Sequence, residues 1–539
     1  MKIYRFLAPL FIVIATFFTA CDDNKGGGGD EPEPPGPQKV DVTSITLSHT
    51  SLNLVPGATQ QLTATIAPEN ATNKTVKWES TDKSVATVSS SGLVKAITDG
   101  TTTIIATADG KSATCDVKVE SVPVVIITGD ETATIDLTLG ASVAQLQEEI
   151  NEADEQGVTE YKLVGEAKNL GITSAKNAKN VFANTNAEVL DMSQVTGWPT
   201  ITKSALYNSN HNEDAKYMTE ELPGVPAEYF YNKGSVIREI ILPAEVQAIG
   251  EKAFCEVSSL EKLDAPGLKI VGSQGLQATG LNEINLPNAT TLGRAWAYYC
   301  RNLTKVTLSG ASYVGVNGLA VCPQLKSVSI PNLETLEGFT FTDCSALTEV
   351  NLPKVKTLKE GEFSECTSLT TINLPLAETI GNTSGNYVGP FYKCTALTNV
   401  SLPKAVTIGL LAFEGCSALK QISLPCATTI HNKAFYNCTA LTSVSLPEAT
   451  NIKESVFEKC KALKTLSLPK AIEIGVNTLS NTSRLQTLIL TASGSIEFAD
   501  QGYTFDSSMI DLTLNSNKQS EVKYGYQWKG MDWLSISFQ

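Results

Sequence analysis

The chain has 539 residues and is acidic, with 41 Lys and Arg against 56 Asp and Glu, for a formal net charge of −15. Such a charge argues against nucleic acid or anionic lipid as a partner, so we expect membrane contact only through an anchor. The three histidines, His49, His211 and His431, lie in different segments and in no metal-ligand or nucleophile motif. We therefore expect no metal site and no catalysis.

Residues 1–20 have the pattern of a cleaved export signal. Lys2 and Arg5 precede an apolar run at 6–18, which is too short to span a membrane. The sequence Phe18-Thr-Ala-Cys21 resembles a lipobox, in which the cysteine is acylated and becomes the first residue. Asp22-Asp23 resembles the acidic export tag of outer-membrane surface lipoproteins. The resemblance implies lipidation of Cys21 and exposure on the outer membrane, and an ordinary secretory signal is the alternative.

The next two segments are predicted to be a spacer and a small sandwich. Residues 21–40 are rich in Gly and Pro, cannot bury a core and form a tether. In residues 41–120, short β-rich runs alternate with turn residues, which indicates a β-sandwich. Ile45-Thr-Leu and Val76-Lys-Trp78 resemble the group 2 bacterial immunoglobulin-like (BIG2) domain. Trp78 is interpreted as a residue of its core.

Residues 121–236 are interpreted as an amino-terminal cap with degenerate repeats. Apolar residues at helical spacing predict an amphipathic helix at 143–156. Residues 161–164 and 188–192 have the pattern of degenerate first strands of the array that follows. Residues 193–222 show no periodicity, so we expect a long, mobile loop there.

Residues 237–491 contain a repeat whose period indicates a solenoid. Cysteines recur at 322, 344, 366, 394, 416, 438 and 460, in steps of 22 apart from one step of 28, and prolines keep the same steps. Each repeat is one coil. We count twelve strand copies, from Ile240-Ile-Leu242 to Leu488-Ile-Leu490.

Within a coil, alternation predicts a half-buried strand that ends at proline. Its outward residue is small and polar, which forms a ladder at Asn285, Thr307, Ser329, Asn351, Asn373, Ser401, Ser423, Ser445 and Ser467. Phe341, Cys344 and Leu347, three apart, suit a short helical turn that points inward. Each coil thus contributes one layer of core.

The copies of this repeat, for example Cys416 through Phe435, resemble the BspA-like leucine-rich repeats of bacterial surface proteins. Together with the BIG2 resemblance, this implies a multidomain chain: an all-β immunoglobulin-like sandwich followed by a leucine-rich-repeat solenoid, with one short parallel strand and one helical turn per 22-residue coil. The cysteine column departs from the pattern at Val257, Ala278 and Thr482. Residues 492–539, which contain an aromatic tail, are expected to form a carboxy-terminal cap.

The periodic cysteines come one per coil, whereas zinc ligands come in tight pairs. In-register side chains point the same way and do not converge as a disulfide requires. We expect buried free thiols and no cofactor.

Two functions fit these features. The first is an adhesin, a monomer that binds host matrix protein, mucin or another cell, and members of the resembling family are associated with adhesion to host proteins. The alternative is a glycan-capturing surface lipoprotein that serves polysaccharide uptake. The candidate binding residues are the ladder at Ser329, Asn351, Asn373, Ser401, Ser423 and Ser445, and a loop with a six-residue excess at Asn386, Tyr387 and Val388.

Overall fold

The structure is a computed structural model that describes residues 38–539, except 140, 174–179, 208–211, 233, 386–387, 502–504 and 524–525. The predicted signal segment, Cys21 and most of the tether lie outside the described residues. The chain divides into two units, one that ends at Ser121 and one that runs from Val122 to Gln539.

The first unit contains short strands that pack around a small apolar core. Counted along the chain, the second, fifth, eighth and ninth strands form one sheet, and the third, sixth and seventh form another. The first strand pairs with the fourth. Trp78 is half-buried and packs against this core, beside Gly92 at φ +86°, where an added Cβ would lie 2.8 Å from the Trp78 ring. The strands are Ser44–Leu47, Ser51–Leu54, Thr59–Gln61, Ala64–Ala67, Lys77–Ser80, Ala86–Val88, Leu93–Ala96, Gly100–Ala108 and Lys111–Val119.

The second unit begins with a cap whose strands already belong to the solenoid sheet. Thr132–Asp136, Glu160–Glu166 and Val189–Thr196 pair in parallel with one another and then with the first coil at Glu239–Ile241. The helix Val143–Glu155 packs on them through Leu146, Ile150 and Ala153, and Ser142 caps it by accepting from the Gln145 N–H. Val125–Ile127 pairs antiparallel at the edge and closes the sheet.

The segment expected to be a mobile loop at 193–222 is instead ordered wherever the structure describes it. It contains the strand Thr200–Ile201 and the 3₁₀ turns Lys203–Ala205 and Asn212–Lys216. The next strand, Leu222–Val225, begins at the last residue of the segment. Ile201, Leu206 and Met218 pack against Ala248 and Ile270 of the first coils. The expectation was wrong because the segment packs against the side of the solenoid rather than within its repeat, so its apolar residues follow no period.

Each coil carries a first strand, of three residues except in the last coil, and these strands follow one another in the predicted order and pair in parallel. Their hydrogen-bonded pairing is interrupted after Lys262–Asp264, Glu349–Asn351 and Asn399–Ser401. The middle residue points into the core and the flanking residues point outward. These first strands are Glu239–Ile241, Lys262–Asp264, Glu283–Asn285, Lys305–Thr307, Ser327–Ser329, Glu349–Asn351, Thr371–Asn373, Asn399–Ser401, Gln421–Ser423, Ser443–Ser445, Thr465–Ser467 and Thr487–Leu490.

A second, two-residue strand follows the proline in most coils and was not predicted from the sequence. These strands also stack in parallel, for example Ile408 beside Ile430. They are Ala248–Ile249, Ile270–Val271, Thr291–Leu292, Tyr313–Val314, Thr357–Leu358, Thr379–Ile380, Thr407–Ile408, Thr429–Ile430, Asn451–Ile452, Glu473–Ile474 and Glu497–Phe498. A coil therefore has two sheet faces.

The segment expected to be a helical turn forms successive reverse turns, which we call the turn face. Lys433 and Asn437 have φ near +58° and +59°, which interrupts a helix. The backbone N–H groups of Lys433, Phe435 and Asn437 donate to carbonyl groups of the next coil at 2.9, 3.0 and 2.9 Å. Hydrogen bonds between coils, rather than within a helix, thus order this segment.

Beneath the turn face lie two columns of buried side chains. Six phenylalanines stack with ring centroids 5.2–5.6 Å apart: Phe341, Phe363, Phe391, Phe413, Phe435 and Phe457. The cysteines beside them are free and buried. Each thiol donates to the carbonyl of a residue in the preceding coil, as Cys438 does to Phe413 at 3.1 Å. The thiols are buried and free, as predicted. They also donate hydrogen bonds to backbone carbonyl groups, which was not predicted.

One coil is shorter than the regular step implies. The 22-residue step places Ala278 in the cysteine column, but Thr279 occupies that position. Its hydroxyl group donates to the Leu276 carbonyl at 3.0 Å, and the Cys300 thiol donates to the same carbonyl at 3.3 Å. The assignment of Ala278 was wrong because this coil lacks one residue between the column and the next strand.

The carboxy-terminal segment continues the first-strand sheet and closes the core. Asp511–Leu514 pairs with Thr487–Leu490, and Ser535–Phe538 pairs with Asp511–Leu514. Trp528 and Trp533 are buried against the last coils. The remaining elements are the hairpin Gln527–Trp528 with Met531–Asp532 and the 3₁₀ turns Ser507–Met509 and Ser516–Glu521; further 3₁₀ turns in the cap are Leu137–Leu139 and Ala167–Leu170.

Candidate binding surface on the strand face

The outward side chains of the first strands form a surface that we call the strand face. Between the coils of Thr371 and Ser445 it encloses a shallow concavity of about 450 Å³. Asn373, Ser401, Ser423 and Ser445, four of the six ladder residues named from the sequence, line this concavity and are exposed. Thr371, Asn399, Gln421 and Ser443 form the second row of its lining. The result is a surface of hydroxyl and amide groups on four successive coils.

The other two ladder residues lie on the same face in earlier coils. Asn351 donates through its side-chain amide to the Ser329 hydroxyl at 2.9 Å. Ser329 is half-buried and Asn351 is exposed. The two residues therefore partly satisfy each other, whereas those of the concavity are more open to a ligand.

The lining residues of the concavity carry no charge, and many charged residues elsewhere pair between neighbouring coils. Lys356 contacts Glu334 at 2.7 Å, Lys393 contacts Glu365 at 3.3 Å and Lys470 contacts Glu448 at 2.6 Å. These exposed pairs contribute little to stability, on the order of 0–1 kcal/mol each. They do hold opposite charges together across neighbouring coils.

The loop candidate is placed only at its base. Asn386 and Tyr387 lie outside the described residues. Val388 is half-buried, and its carbonyl accepts from the Gly361 N–H at 3.0 Å, a bond that joins two coils. Two coils later, the Asn432 carbonyl group accepts the equivalent hydrogen bond from the Leu411 N–H at 3.1 Å. Val388 therefore belongs to the regular coil, and the excess residues precede it.

Sequence reasoning missed a buried carboxyl group in the coil before this loop. Oε1 of Glu362 accepts from the backbone N–H groups of Lys359 and Glu360, the latter at 3.0 Å. Among the described residues Oε2 of Glu362 has no hydrogen-bond partner. Burial raises the pKa of Glu362 to about 8, against an ordinary value of 4.5. Ala412 and Ala434 occupy the equivalent position in later coils, so only comparison of aligned coils could have singled it out.

In the described part of the chain, no group of three or more His, Cys, Asp or Glu side chains is arranged to hold a metal ion. In that same part, no helix combines the length and apolar character needed to cross a membrane.

Two protein families match this chain. Residues 41–117 match the bacterial Ig-like domain (group 2), and residues 223–333, 314–386 and 386–510 match the BspA type leucine-rich repeat region, in six copies. Both are domain types that are typically non-catalytic, and BspA-type proteins are surface-associated. The leucine-rich repeat fold suggests a role in protein interaction.

Curated relatives share only a short stretch with this chain. An alpha-L-arabinofuranosidase of Bifidobacterium longum is 37% identical over 86 residues, which is 16% of this chain and 8% of the relative. A kappa-carrageenase of Pseudoalteromonas carrageenovora is 46% identical over 65 residues, 12% of this chain and 16% of the relative. This chain thus spans less than a fifth of either enzyme.

Two solved leucine-rich repeat structures are similar to this chain at low identity. A leucine-rich repeat protein from Bacteroides ovatus is 20% identical, with a TM-score of 0.47 over 77% of this chain and 91% of that one. A leucine-rich cell surface protein from Faecalibacterium prausnitzii is 20% identical, with a TM-score of 0.27 over 44% of this chain and 81% of that one.

Proposed function

Because this chain belongs to the BspA-type leucine-rich repeat family, we propose that it is a non-enzymatic cell-surface adhesin that binds an extracellular protein or glycoprotein through the strand face. The observation that carries the proposal is the uncharged concavity of about 450 Å³ on the coils of Thr371 to Ser445. Its hydroxyl and amide groups can donate and accept hydrogen bonds, and they lose less on desolvation than charged groups would.

The ladder suits a macromolecule better than a small molecule. Successive coils present one small polar side chain each, an amide or a hydroxyl group, at the spacing of parallel strands, about 4.8 Å, so that an extended partner meets donors and acceptors in regular steps. The concavity is shallow and holds no aromatic or charged anchor among its lining residues. Such a surface gains affinity from area rather than from one hot spot.

The amino-terminal segments fit presentation at a cell surface. In this proposal Cys21 is acylated, residues 21–40 serve as a tether, and the immunoglobulin-like domain acts as a spacer. The solenoid is then held outside the outer membrane as a monomer. A glycan-capturing lipoprotein that serves polysaccharide uptake is the second candidate, and the aromatic depression described below favours it.

The test is binding of the purified chain to immobilised host matrix proteins and mucin. Ser401→Arg and Ser423→Arg place a bulky cation inside the concavity, and either should abolish saturable binding. Val406→Arg is the matched control, because Val406 is 42% exposed and lies outside the concavity. Equal loss in all three variants, or in none of them, would contradict the strand face as the site.

A further inference from the structure

A depression on the turn face lies where the short coil lacks a residue. Thr279 and Leu281 are separated by Gly280 alone, whereas Cys300 and Leu303 of the next coil are separated by Arg301 and Asn302. The depression lies at this coil, and Thr279 and Gly280 are among its lining residues. The depression has a volume of about 590 Å³ and is lined by Glu256, Ser258, Gln277, Tyr298, Tyr299, Arg301 and Asn302, among others.

One wall of this depression is aromatic. The rings of Tyr298 and Tyr299 lie 6.1 Å apart with 23° between their planes. The guanidinium carbon of Arg301 lies 4.2 Å from the centre of the Tyr299 ring. Tyr299 remains 36% exposed. The cation over the ring holds the Arg301 side chain against the wall, so that both groups are arranged before a ligand arrives.

Polar groups converge on the same space from the other sides. Oε2 of Glu256 accepts from the Tyr231 hydroxyl group at 3.2 Å, which orients the carboxylate. Oε1 of Gln277 accepts from Gln274 at 2.6 Å, which leaves its amide N–H groups for a ligand. Among the described residues, the Arg301 guanidinium contacts the Tyr299 ring, and the structure shows no other interaction for it.

We propose that this depression is a carbohydrate-binding site that takes a neutral pyranose residue of a glycan chain. A pyranose ring presents C–H groups on one face and hydroxyl groups around its edge. The C–H face matches the aromatic wall of Tyr298 and Tyr299, where Arg301 covers one face of the Tyr299 ring and leaves the rest of the wall. The hydroxyl groups match the carboxylate of Glu256, the amides of Gln277 and Asn302, and the guanidinium of Arg301. One acid and one base line the site, which favours a neutral sugar over an acidic one.

The site is distinct from the strand face, because none of its lining residues belongs to the strand-face concavity. Its volume falls within the range of about 300–1,000 Å³ that is usual for small-ligand sites. The chain would thus bind one macromolecule through the strand face and a sugar through the turn face.

The experiment is saturation-transfer difference NMR and calorimetry on the full chain. The probes are cellohexaose, mannohexaose, a galactohexaose and N-acetylchitohexaose, with polygalacturonate as the acidic arm. We expect at least one neutral oligosaccharide to bind, and Tyr299→Ala and Arg301→Ala to weaken it by about tenfold or more. Tyr436→Ala is the matched control, because Tyr436 also lies on the turn face beneath lysines, with the Lys459 nitrogen 4.6 Å from its ring. It should bind the oligosaccharide as the wild type does.

A second variant keeps the test valid if Tyr299→Ala does not fold. Ala278→Phe fills the depression without removing Tyr299 or Arg301, and it should also abolish binding. The proposal is overturned if no neutral oligosaccharide binds, if polygalacturonate alone binds, or if binding survives in Ala278→Phe. Loss of protein binding in these variants without any sugar binding would identify the depression as a protein contact instead, and would equally overturn it.

Discussion

The carboxylate of Asp214 accepts a hydrogen bond from the Tyr313 hydroxyl group at 2.7 Å, although 99 residues separate them. Asp214 is 1% exposed and also accepts from the Ser273 hydroxyl at 2.9 Å and from the Arg294 N–H at 2.6 Å. The ring of Tyr217 stacks on that of Tyr313 at 3.5 Å. One carboxylate thus fastens the segment after Leu206 to three successive coils.

We predict that Asp214→Ala releases this segment, because it leaves two buried hydroxyl donors and the half-buried Arg294 N–H without their acceptor. The expected loss of stability is about 2–4 kcal/mol. Tyr313→Phe removes one hydrogen bond and should cost about 1–2 kcal/mol. Hydrogen exchange of residues 212–222 measures the effect. Unchanged protection in Asp214→Ala would show that packing of Met218 alone holds the segment.

We predict that Glu362 makes the solenoid less stable as the pH rises. Its folded pKa of about 8 lies above the ordinary value of 4.5, so the folded state keeps a proton that the unfolded chain releases. Its contribution is full below pH 4.5 and is lost progressively up to about pH 8, by at most roughly 5 kcal/mol.

Urea unfolding of Glu362→Gln against the wild type measures this difference. The variant should gain stability relative to the wild type between pH 5 and pH 8, since its amide does not ionise. Glu349→Gln, an exposed change on the strand face, is the control and should follow the wild type. Parallel pH profiles for Glu362→Gln and the wild type would refute the prediction.

We predict that Cys426 alone among the eleven described cysteines reacts with a thiol reagent in the native protein, because it alone is exposed. Burial raises the pKa of Cys366, Cys416, Cys438 and Cys460, for Cys460 to about 12, which removes the reactive thiolate. A Cys21→Ala form should show one reactive thiol when native and eleven when denatured without reductant. Cys426→Ser should abolish the native reaction. A lower count after denaturation would reveal disulfides.

We predict that removal of residues 382–387 leaves the fold intact and the binding to protein ligands unchanged. Val388 then follows Gly381 directly and keeps its hydrogen bond to Gly361. The change in stability should stay within about 1 kcal/mol, because loop entropy varies slowly with length. Removal of residues 405–410, which belong to a regular coil, is the control and should unfold the neighbouring coils. Lost ligand binding after the first deletion would restore Asn386 and Tyr387 as the site.

We predict that Cys21 carries the lipid anchor. Protease added to intact cells should remove the protein, and Cys21→Ala should be secreted or retained unprocessed. Membrane fractionation with globomycin treatment measures the outcome. Normal processing and membrane attachment of Cys21→Ala would show that an ordinary secretory signal operates.

The repeat could be predicted wherever one residue type marks one structural position. Cys, Phe and Pro recur because buried columns and strand ends admit few alternatives, so the first strands and the buried thiols followed from their spacing. The second strands could not be predicted, because two residues such as Thr407–Ile408 carry no periodic signal of their own. The turn face was read as helical because its left-handed residues, among them Lys433, Leu411 and Ser455, share no residue type.

The candidate sites also differ in whether the sequence could identify them. The ladder residues were visible because alternation identifies an outward position in every coil. The depression at Tyr299 was not visible, because it lies at a coil that is one residue short. Fixed steps of 22 residues hide this loss, since they place Ala278 rather than Thr279 in the cysteine column. Asp214 was hidden as well, since its partners come from coils 59 to 99 residues away.

The stacked phenylalanines also bear on how such a gene can change. Phe413 and Phe435 meet nearly identical neighbours at 5.2 and 5.3 Å on their amino-terminal sides, so excision of the 22 residues between them joins surfaces that already fit each other. Gain or loss of 22-residue units can therefore add or delete whole coils without any new core having to evolve. The length of the strand face can then change in steps of one coil. The hydrogen bonds of Asp214 at one end and the buried Trp528 and Trp533 at the other stay the same.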